Sequence, residues 1–312
     1  MTTFLDGLLD RTIAPGYSRL GYEVRERFWT ALDPNALDGA TVMVTGANSG
    51  IGKAIAAGVA KLGATVLMTV RDPARGEAAR DDILAEVPAA DLVVLRCDMS
   101  DLADVRAFAA EVTARRPWLD AVIHNAGVMP PERTYTEQGH ELSLSTHVLG
   151  PVLLTELLLP ALTATPDPRV VLMSSGGMYT QALPVEDIEY RTGHYRGATA
   201  YARSKRVQVA LTPRLAQRWP VTVSAMHPGW ADTPGVAESL PAFRRLTGPA
   251  LRTPEQAADT AIWLTATTPT PPSGKFWHDR AIRPTHYLPT SHDSEADLDW
   301  MWNYCASALD LS

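Results

Sequence analysis

Tyr201 and Lys205 stand four apart in the run Tyr201-Ala202-Arg203-Ser204-Lys205. On a helix that spacing projects a phenol and an ammonium from one face. A free tyrosine, with a pKa near ~10, is a poor acid or base at neutral pH. A fixed cation beside it favours the phenolate and predicts a lowered pKa. Upstream lies Thr45-Gly46-Ala47-Asn48-Ser49-Gly50-Ile51-Gly52. Glycines where a strand turns into a helix permit close backbone approach to a pyrophosphate, which the helix N-terminus attracts. Each motif has a plainer reading, an amphipathic helix with a solvated lysine or a glycine-rich turn at a sheet edge. In this order they point to a nucleotide cofactor held beside an acid/base, and so to hydride transfer.

The elements that must position these residues follow an alternating rhythm. Strands are expected at Thr41–Thr45, Thr65–Val70, Leu92–Cys97, Ala121–His124, Val170–Ser174 and Val221–Met226. Helical patterns fall between them, at Gly50–Leu62, Ala74–Val87, Leu102–Arg115 and Leu142–Leu162, with a long helix carrying Tyr201. Alternation of this kind implies parallel pairing through right-handed crossovers. The expected architecture is α/β: a doubly wound parallel sheet with Rossmann-type dinucleotide-binding topology, in a single domain. Residues 1–38 read as an N-terminal extension, 39–290 as the main domain with a substrate loop at about 229–252, and 291–312 as a C-terminal tail. After His227-Pro228-Gly229 the rhythm lapses, and the last stretch is also irregular.

Composition narrows the classes. A formal net charge of -7 without a basic cluster argues against a nucleic-acid partner. Two cysteines, Cys97 and Cys305, cannot build a disulfide framework and suit a reducing compartment. No signal peptide is legible, and no apolar stretch is expected to span a bilayer. A cytoplasmic protein is the expectation, with peripheral membrane contact and a homo-oligomer left open. No metal site is expected.

The glycine spacing is G-x-x-x-G-x-G, which resembles the short-chain dehydrogenase/reductase superfamily. Ser174-Ser175-Gly176-Gly177-Met178 and the run Met226 to Val236 narrow the resemblance to its retinol-dehydrogenase-like branch. The resemblance implies that Gly46, Asn48, Ser49, Gly50, Ile51 and Gly52 bind the cofactor. It assigns Asp98 to the adenine amino group, and Asn125, Ala126 and Gly127 to the cofactor pocket. Pro228, Gly229 and Thr233 match its Pro-Gly-x-x-x-Thr segment, where the threonine meets the nicotinamide carboxamide. Ser175, Tyr201 and Lys205 match its catalytic set, with Lys205 also holding the nicotinamide ribose. Arg71 ends the second strand where an acid would bind ribose hydroxyls and an arginine suits a 2′-phosphate. NADP(H) is therefore the preferred cofactor and NAD(H) the other possibility; alternatively Arg71 pairs with a surface acid.

One position departs from the family pattern. His147 stands where an asparagine usually holds a water in the proton relay towards the lysine. Histidine both donates and accepts hydrogen bonds, so it either substitutes or is a packed helix residue. Trp230, Val236, Leu240, Phe243 and Leu246 give the segment after Gly229 an apolar character, favouring a small, hydrophobic carbonyl or alcohol substrate or else packing on the sheet. Two further readings stay open: a cofactor-binding sensor or scaffold with little turnover, and an enone reductase on the same scaffold.

Overall fold

The computed structural model describes residues 3–232, 245, 247–287 and 293–311. Three short helices come first: α1 (Thr3–Arg11), α2 (Ile13–Tyr17) and α3 (Arg19–Glu26). The alternating part then runs β1 (Thr41–Thr45), α4 (Gly50–Lys61), β2 (Thr65–Val70), α5 (Pro73–Glu86), β3 (Asp91–Arg96), α6 (Leu102–Arg115) and β4 (Ala121–His124). It continues with α7 (Leu142–Leu144), a π-helical turn (Ser145–Leu149), α8 (Gly150–Leu162), β5 (Arg169–Met173), α9 (Gly197–Arg218) and β6 (Thr222–Met226). Beyond β6 come α10 (Pro254–Ala266), β7 (Lys275–His278), β8 (Ala281–Ile282) and α11 (Glu295–Ala308).

The strands form one sheet in the order β3-β2-β1-β4-β5-β6-β7-β8. All neighbours pair in parallel except β7 with β8. This is the doubly wound α/β fold expected from the sequence. Alternate side chains feed two separate cores, as strand geometry requires. Met43, Val122, Val170 and Leu172 pack with α6, α8, α9 and α11 on one face. Val42, Val44, Ile123 and Val171 pack with α4, α5 and α10 on the other. Helix starts are fixed by side-chain caps: Asp72 on α5, Asp101 on α6, Thr253 on α10 and Ser294 on α11.

Two sequence expectations need correction. From Pro254 on the described residues are not irregular, because α10, β7, β8 and α11 continue the fold there. β7 is only four residues long and carries Trp277 and His278, so its strand character comes from pairing with β6 rather than from its own pattern. In addition, Leu142–Leu162, with a mean hydropathy of 1.5, is long and apolar enough to cross a bilayer. Here 78 % of that window is buried inside the protein, the behaviour of a helix apolar all round at the centre of a core.

The N-terminal helices are tied to the far end of the sheet by buried charge. Arg25 donates to Asp6 at 2.8 Å and to Asp279 at 2.7 Å, and Arg252 reaches the same Asp279 at 2.6 and 2.8 Å. Arg25, Arg252 and Asp279 are all buried. Burial pushes the Asp279 carboxyl up, but His278 and the two guanidiniums outweigh it and hold the pKa well below the usual carboxylate range. Breaking such a pair strands a buried charge, at about 3–5 kcal/mol. Asp279→Asn is accordingly expected to lower unfolding stability by about 3–5 kcal/mol in urea titration. A loss below about 1 kcal/mol, the range of exposed pairs, would refute this account of the cluster.

Candidate active site

Strand order reverses between β1 and β4, so the chains leaving their C-terminal ends diverge and open a crevice there. Thr45 closes its floor: Oγ1 accepts the backbone N–H of both Asn125 and Ala126, each at 3.0 Å. The Asn125 amide donates back to the Thr45 carbonyl at 3.0 Å and the Gly46 carbonyl at 3.3 Å. Gly46 lies at φ +67°, in the left-handed region. A Cβ on Gly52 would stand 2.2 Å from the Gly46 carbonyl oxygen and 2.4 Å from Asn125 Nδ2. Only glycine lets α4 start this close to the strand ends. Asn48 and Ser49 form the turn, and Gly50 and Ile51 begin α4. Ser49, the N-cap, makes no side-chain cap bond, unlike the caps of α5, α6, α10 and α11. The first N–H groups of α4 thus lack the carboxylate or hydroxyl that serves those helices. Such a start fits an anionic group.

Further along the crevice, Arg71 is exposed past the end of β2 and makes no ion pair among the described residues. Asp72, next to it, is engaged as the α5 cap by the N–H groups of Ala74 and Arg75. Lys53 is paired with Asp82 at 2.5 Å, so its charge is already shared. Asp98 follows β3 and accepts the Ser100 N–H and hydroxyl on one carboxylate oxygen, at 2.9 and 2.7 Å. Gly127 lies against His147, 3.2 Å from Nε2 to where a Cβ would be.

At the other end, consecutive serines point opposite ways as strand alternation requires. The Ser174 hydroxyl is spent on the Lys205 carbonyl at 3.0 Å. The Ser175 hydroxyl accepts the Gly177 N–H at 3.1 Å and lies on the side of the Tyr201 phenol, whose ionised form it favours. Tyr201 and Lys205 share one face of α9, with Lys205 Nζ 5.5 Å from the phenol ring centre. The ammonium donates to the Met173 carbonyl at 2.7 Å.

The electrostatics reverse one expectation. Burial raises the Tyr201 pKa above its ordinary value, and the Ser175 hydrogen bond only partly offsets this. Lys205 is itself buried and pushed down to about 7, so it is a weakened cation, engaged on Met173. Desolvation therefore outweighs the effect that spacing alone suggested.

His147 lies in the π-helical turn and is fully buried. The Val128 N–H donates to Nε2 at 3.0 Å. The neutral ring then carries its proton on Nδ1, which donates to the Ser204 hydroxyl at 2.7 Å. Ser204 passes the chain on to the Tyr201 carbonyl at 2.8 Å. Burial, then Lys205, holds the imidazole pKa well below its ordinary value. Both ring nitrogens are occupied by protein, and the ring meets Tyr201 edge-on at 5.2 Å. The geometry is that of a clamp between the loop after β4 and α9.

Pro228 and Gly229 follow β6; the Pro228 carbonyl accepts from Arg252 at 3.2 Å and Gly229 lies at φ +77°. Thr233, Val236, Leu240, Phe243 and Leu246 lie outside the described residues. Thr45 and Ser204 escaped sequence reading. Their roles depend on partners 80 and 57 positions away, which no local pattern signals.

A strand-reversal crevice with an open helix start, and a serine–tyrosine–lysine set at its end, define a nucleotide-dependent oxidoreductase site. The protein-family model for short chain dehydrogenase matches residues 40–242, so the chain belongs to that family, oxidoreductases acting on CH–OH and C=O groups with NAD(P). It is similar to human dehydrogenase/reductase SDR family member 12, at 40% identity over 90% of each chain. Mouse retinol dehydrogenase 14 is 36% identical over 74% of this chain and 75% of its own. Among solved structures, an uncharacterized protein from Mycobacterium paratuberculosis superposes with a TM-score of 0.68 at 28% identity, covering 90% of this chain and 97% of that one. A protein from Beutenbergia cavernae, described as an NAD(P)-dependent gluconate 5-dehydrogenase and solved with NADP at low occupancy, has a TM-score of 0.59 at 28% identity, covering 75% and 92%.

The lowered Lys205 pKa has a sign that can be measured. Between about pH 7 and 10.5 the unfolded chain holds a proton that the folded chain has released, so stability rises with pH across that window. Below it, the cost of burying the cation is fully present. Lys205→Met is expected to remove this rise, read as the difference between the two proteins' unfolding curves in the absence of cofactor. Curves that stay parallel from pH 7 to 10.5 would contradict a buried, depressed lysine.

Proposed function

We propose that the chain is an NADP(H)-dependent oxidoreductase that interconverts a carbonyl and an alcohol on a hydrophobic substrate, with Tyr201 as the acid/base. The observation that carries this reading is the placement of Ser175, Tyr201 and Lys205 together at the end of the crevice, with the Ser175 hydroxyl acting on the Tyr201 phenol and Lys205 one turn behind on α9. The bound nicotinamide supplies or accepts the hydride. Ser175 orients the substrate oxygen, and Tyr201 gives up or takes the proton at that oxygen. Burial keeps the phenol protonated in the chain as it stands, the form that acts as a general acid towards a carbonyl oxygen. Lys205 would hold the nicotinamide ribose. The backbone of Gly46 to Gly52, with Asn48, Ser49 and Ile51, would cradle the pyrophosphate and Asp98 would take the adenine, with Asn125, Ala126, Gly127, Pro228 and Gly229 lining the pocket.

Arg71 supports the phosphate-bearing cofactor, since it is exposed and has no acid partner among the described residues, while Asp72 is occupied as a helix cap. The NADP in the Beutenbergia structure is consistent with this choice. The names of the retinol dehydrogenase relatives support a hydrophobic alcohol or aldehyde. A cytoplasmic location, with residues 39–290 as the catalytic domain, belongs to the same reading. His147 favours a second one. With both nitrogens bound to protein it has no hydrogen-bonding capacity left for a relay water, as a cofactor-binding protein with slow turnover would tolerate.

The test is a panel of hydrophobic aldehydes, ketones and alcohols followed by NADPH absorbance. Tyr201→Phe should lower turnover at least ~100-fold while leaving NADPH affinity nearly intact. An unchanged rate would remove Tyr201 from the mechanism, and tight NADPH binding with no turnover of any substrate would favour the second reading. For the cofactor, Arg71→Ala should weaken NADPH about 10–100-fold, the loss of a charged hydrogen bond, and leave NADH unaffected. Equal weakening of both cofactors would overturn the phosphate assignment.

A further inference from the structure

Tyr17 precedes the residues that match the family, yet its ring reaches the serine turn of the active site. It is 2% exposed, and its ring edge lies 3.0 Å from where a Cβ on Gly176 would stand. Gly176 sits between Ser175, whose hydroxyl meets Tyr201, and Gly177, whose N–H holds that hydroxyl. The Tyr17 carbonyl accepts the Trp230 N–H at 2.8 Å, which pins the turn leaving β6. The ring also packs edge-on against His227 at 4.5 Å and His278 at 5.0 Å, at the ends of β6 and β7.

The segment that carries Tyr17 is held rigidly. The Gly16 carbonyl accepts from Arg25 at 2.8 Å and from Arg252 at 3.2 Å, and both arginines are anchored on Asp279. The Tyr17 hydroxyl meets Tyr287 at 3.0 Å. An aromatic ring fixed at both ends and wedged between two turns sets their separation, because a packed interior transmits displacement instead of absorbing it.

We propose that Tyr17 is a positioning residue for the reaction, a wedge that fixes Ser175 through Gly176 and fixes the Gly229–Trp230 turn through its carbonyl. Its effect on turnover rests on the carbonyl/alcohol reading above; its effect on the two turns does not. The ring, not the hydroxyl, does the positioning. Tyr17→Phe therefore keeps the wedge, and Tyr17→Ala removes it.

Two measurements on the full chain decide this. In hydrogen–deuterium exchange, Tyr17→Ala should speed exchange in the peptide covering 174–180, where the ring packs on Gly176, with a smaller effect over 228–232, whose bond to the residue 17 carbonyl survives the substitution, and Tyr17→Phe should restore protection. In steady-state kinetics Tyr17→Ala should lower kcat about 10–100-fold, the scale of a misplaced catalytic group, with a smaller rise in the KM for NADPH because only the Gly229 end of the cofactor pocket is loosened. Ile83→Ala, a core truncation on α5 outside this cluster, controls for lost stability and should change neither reading. Unchanged exchange in both peptides, or the same change in Ile83→Ala, would overturn the proposal. If the parent protein turns over nothing, the reaction assignment fails, and the exchange experiment still decides the wedge.

Discussion

The site depends first on how closely α4 can approach the ends of β1 and β4. Thr45 and Asn125 bond these two strand ends to each other through side chain and backbone in both directions. That bonding leaves no room for a side chain at Gly52, whose Cβ would fall 2.2 Å from the Gly46 carbonyl. The reversal of strand order puts the crevice here, and the contact brings the uncapped start of α4 to its edge. Everything that binds in the crevice does so on a floor set by this three-way contact.

Desolvation governs the reacting end. Lys205, His124 and His147 are packed where water does not reach and Tyr201 is half-buried beside them, and each is driven towards its neutral form. His124, the last residue of β4, is held down to about 3 by burial and by Lys205. Neighbouring imidazoles that stay neutral add no positive charge beside the lysine. A protonated phenol next to a weakly charged ammonium is the cheapest arrangement in a medium of low dielectric. The clamp made by His147 then orders α9 against the loop after β4 using hydrogen bonds alone.

At the opposite edge the N-terminal helices are joined to β7 and its turn by two arginines sharing one buried carboxylate. Such a cluster adds little net stability over apolar packing but penalises any arrangement that separates its members. Residues that precede the family-matched region thereby become part of the frame around the serine turn.

By itself the sequence determined the alternating strands and helices, the parallel sheet, the glycine turn and the Tyr201–Lys205 face. Each of these is encoded within a few neighbouring residues, by periodicity or by a backbone need that only glycine meets. Element ends differ from expectation by a residue, as for Leu92–Cys97 against Asp91–Arg96. Only the tertiary structure decided that β7 is a strand, since its pairing partner β6 lies about 50 residues earlier in the chain. It also decided that the Leu142–Leu162 helix lies inside the protein, that His147 is spent on Val128 and Ser204, and that burial raises the Tyr201 pKa. Burial and hydrogen-bond partnership are properties of the packed whole. The four-residue spacing of phenol and ammonium gave their proximity, but the direction of the pKa shift was set by how much water the fold excludes.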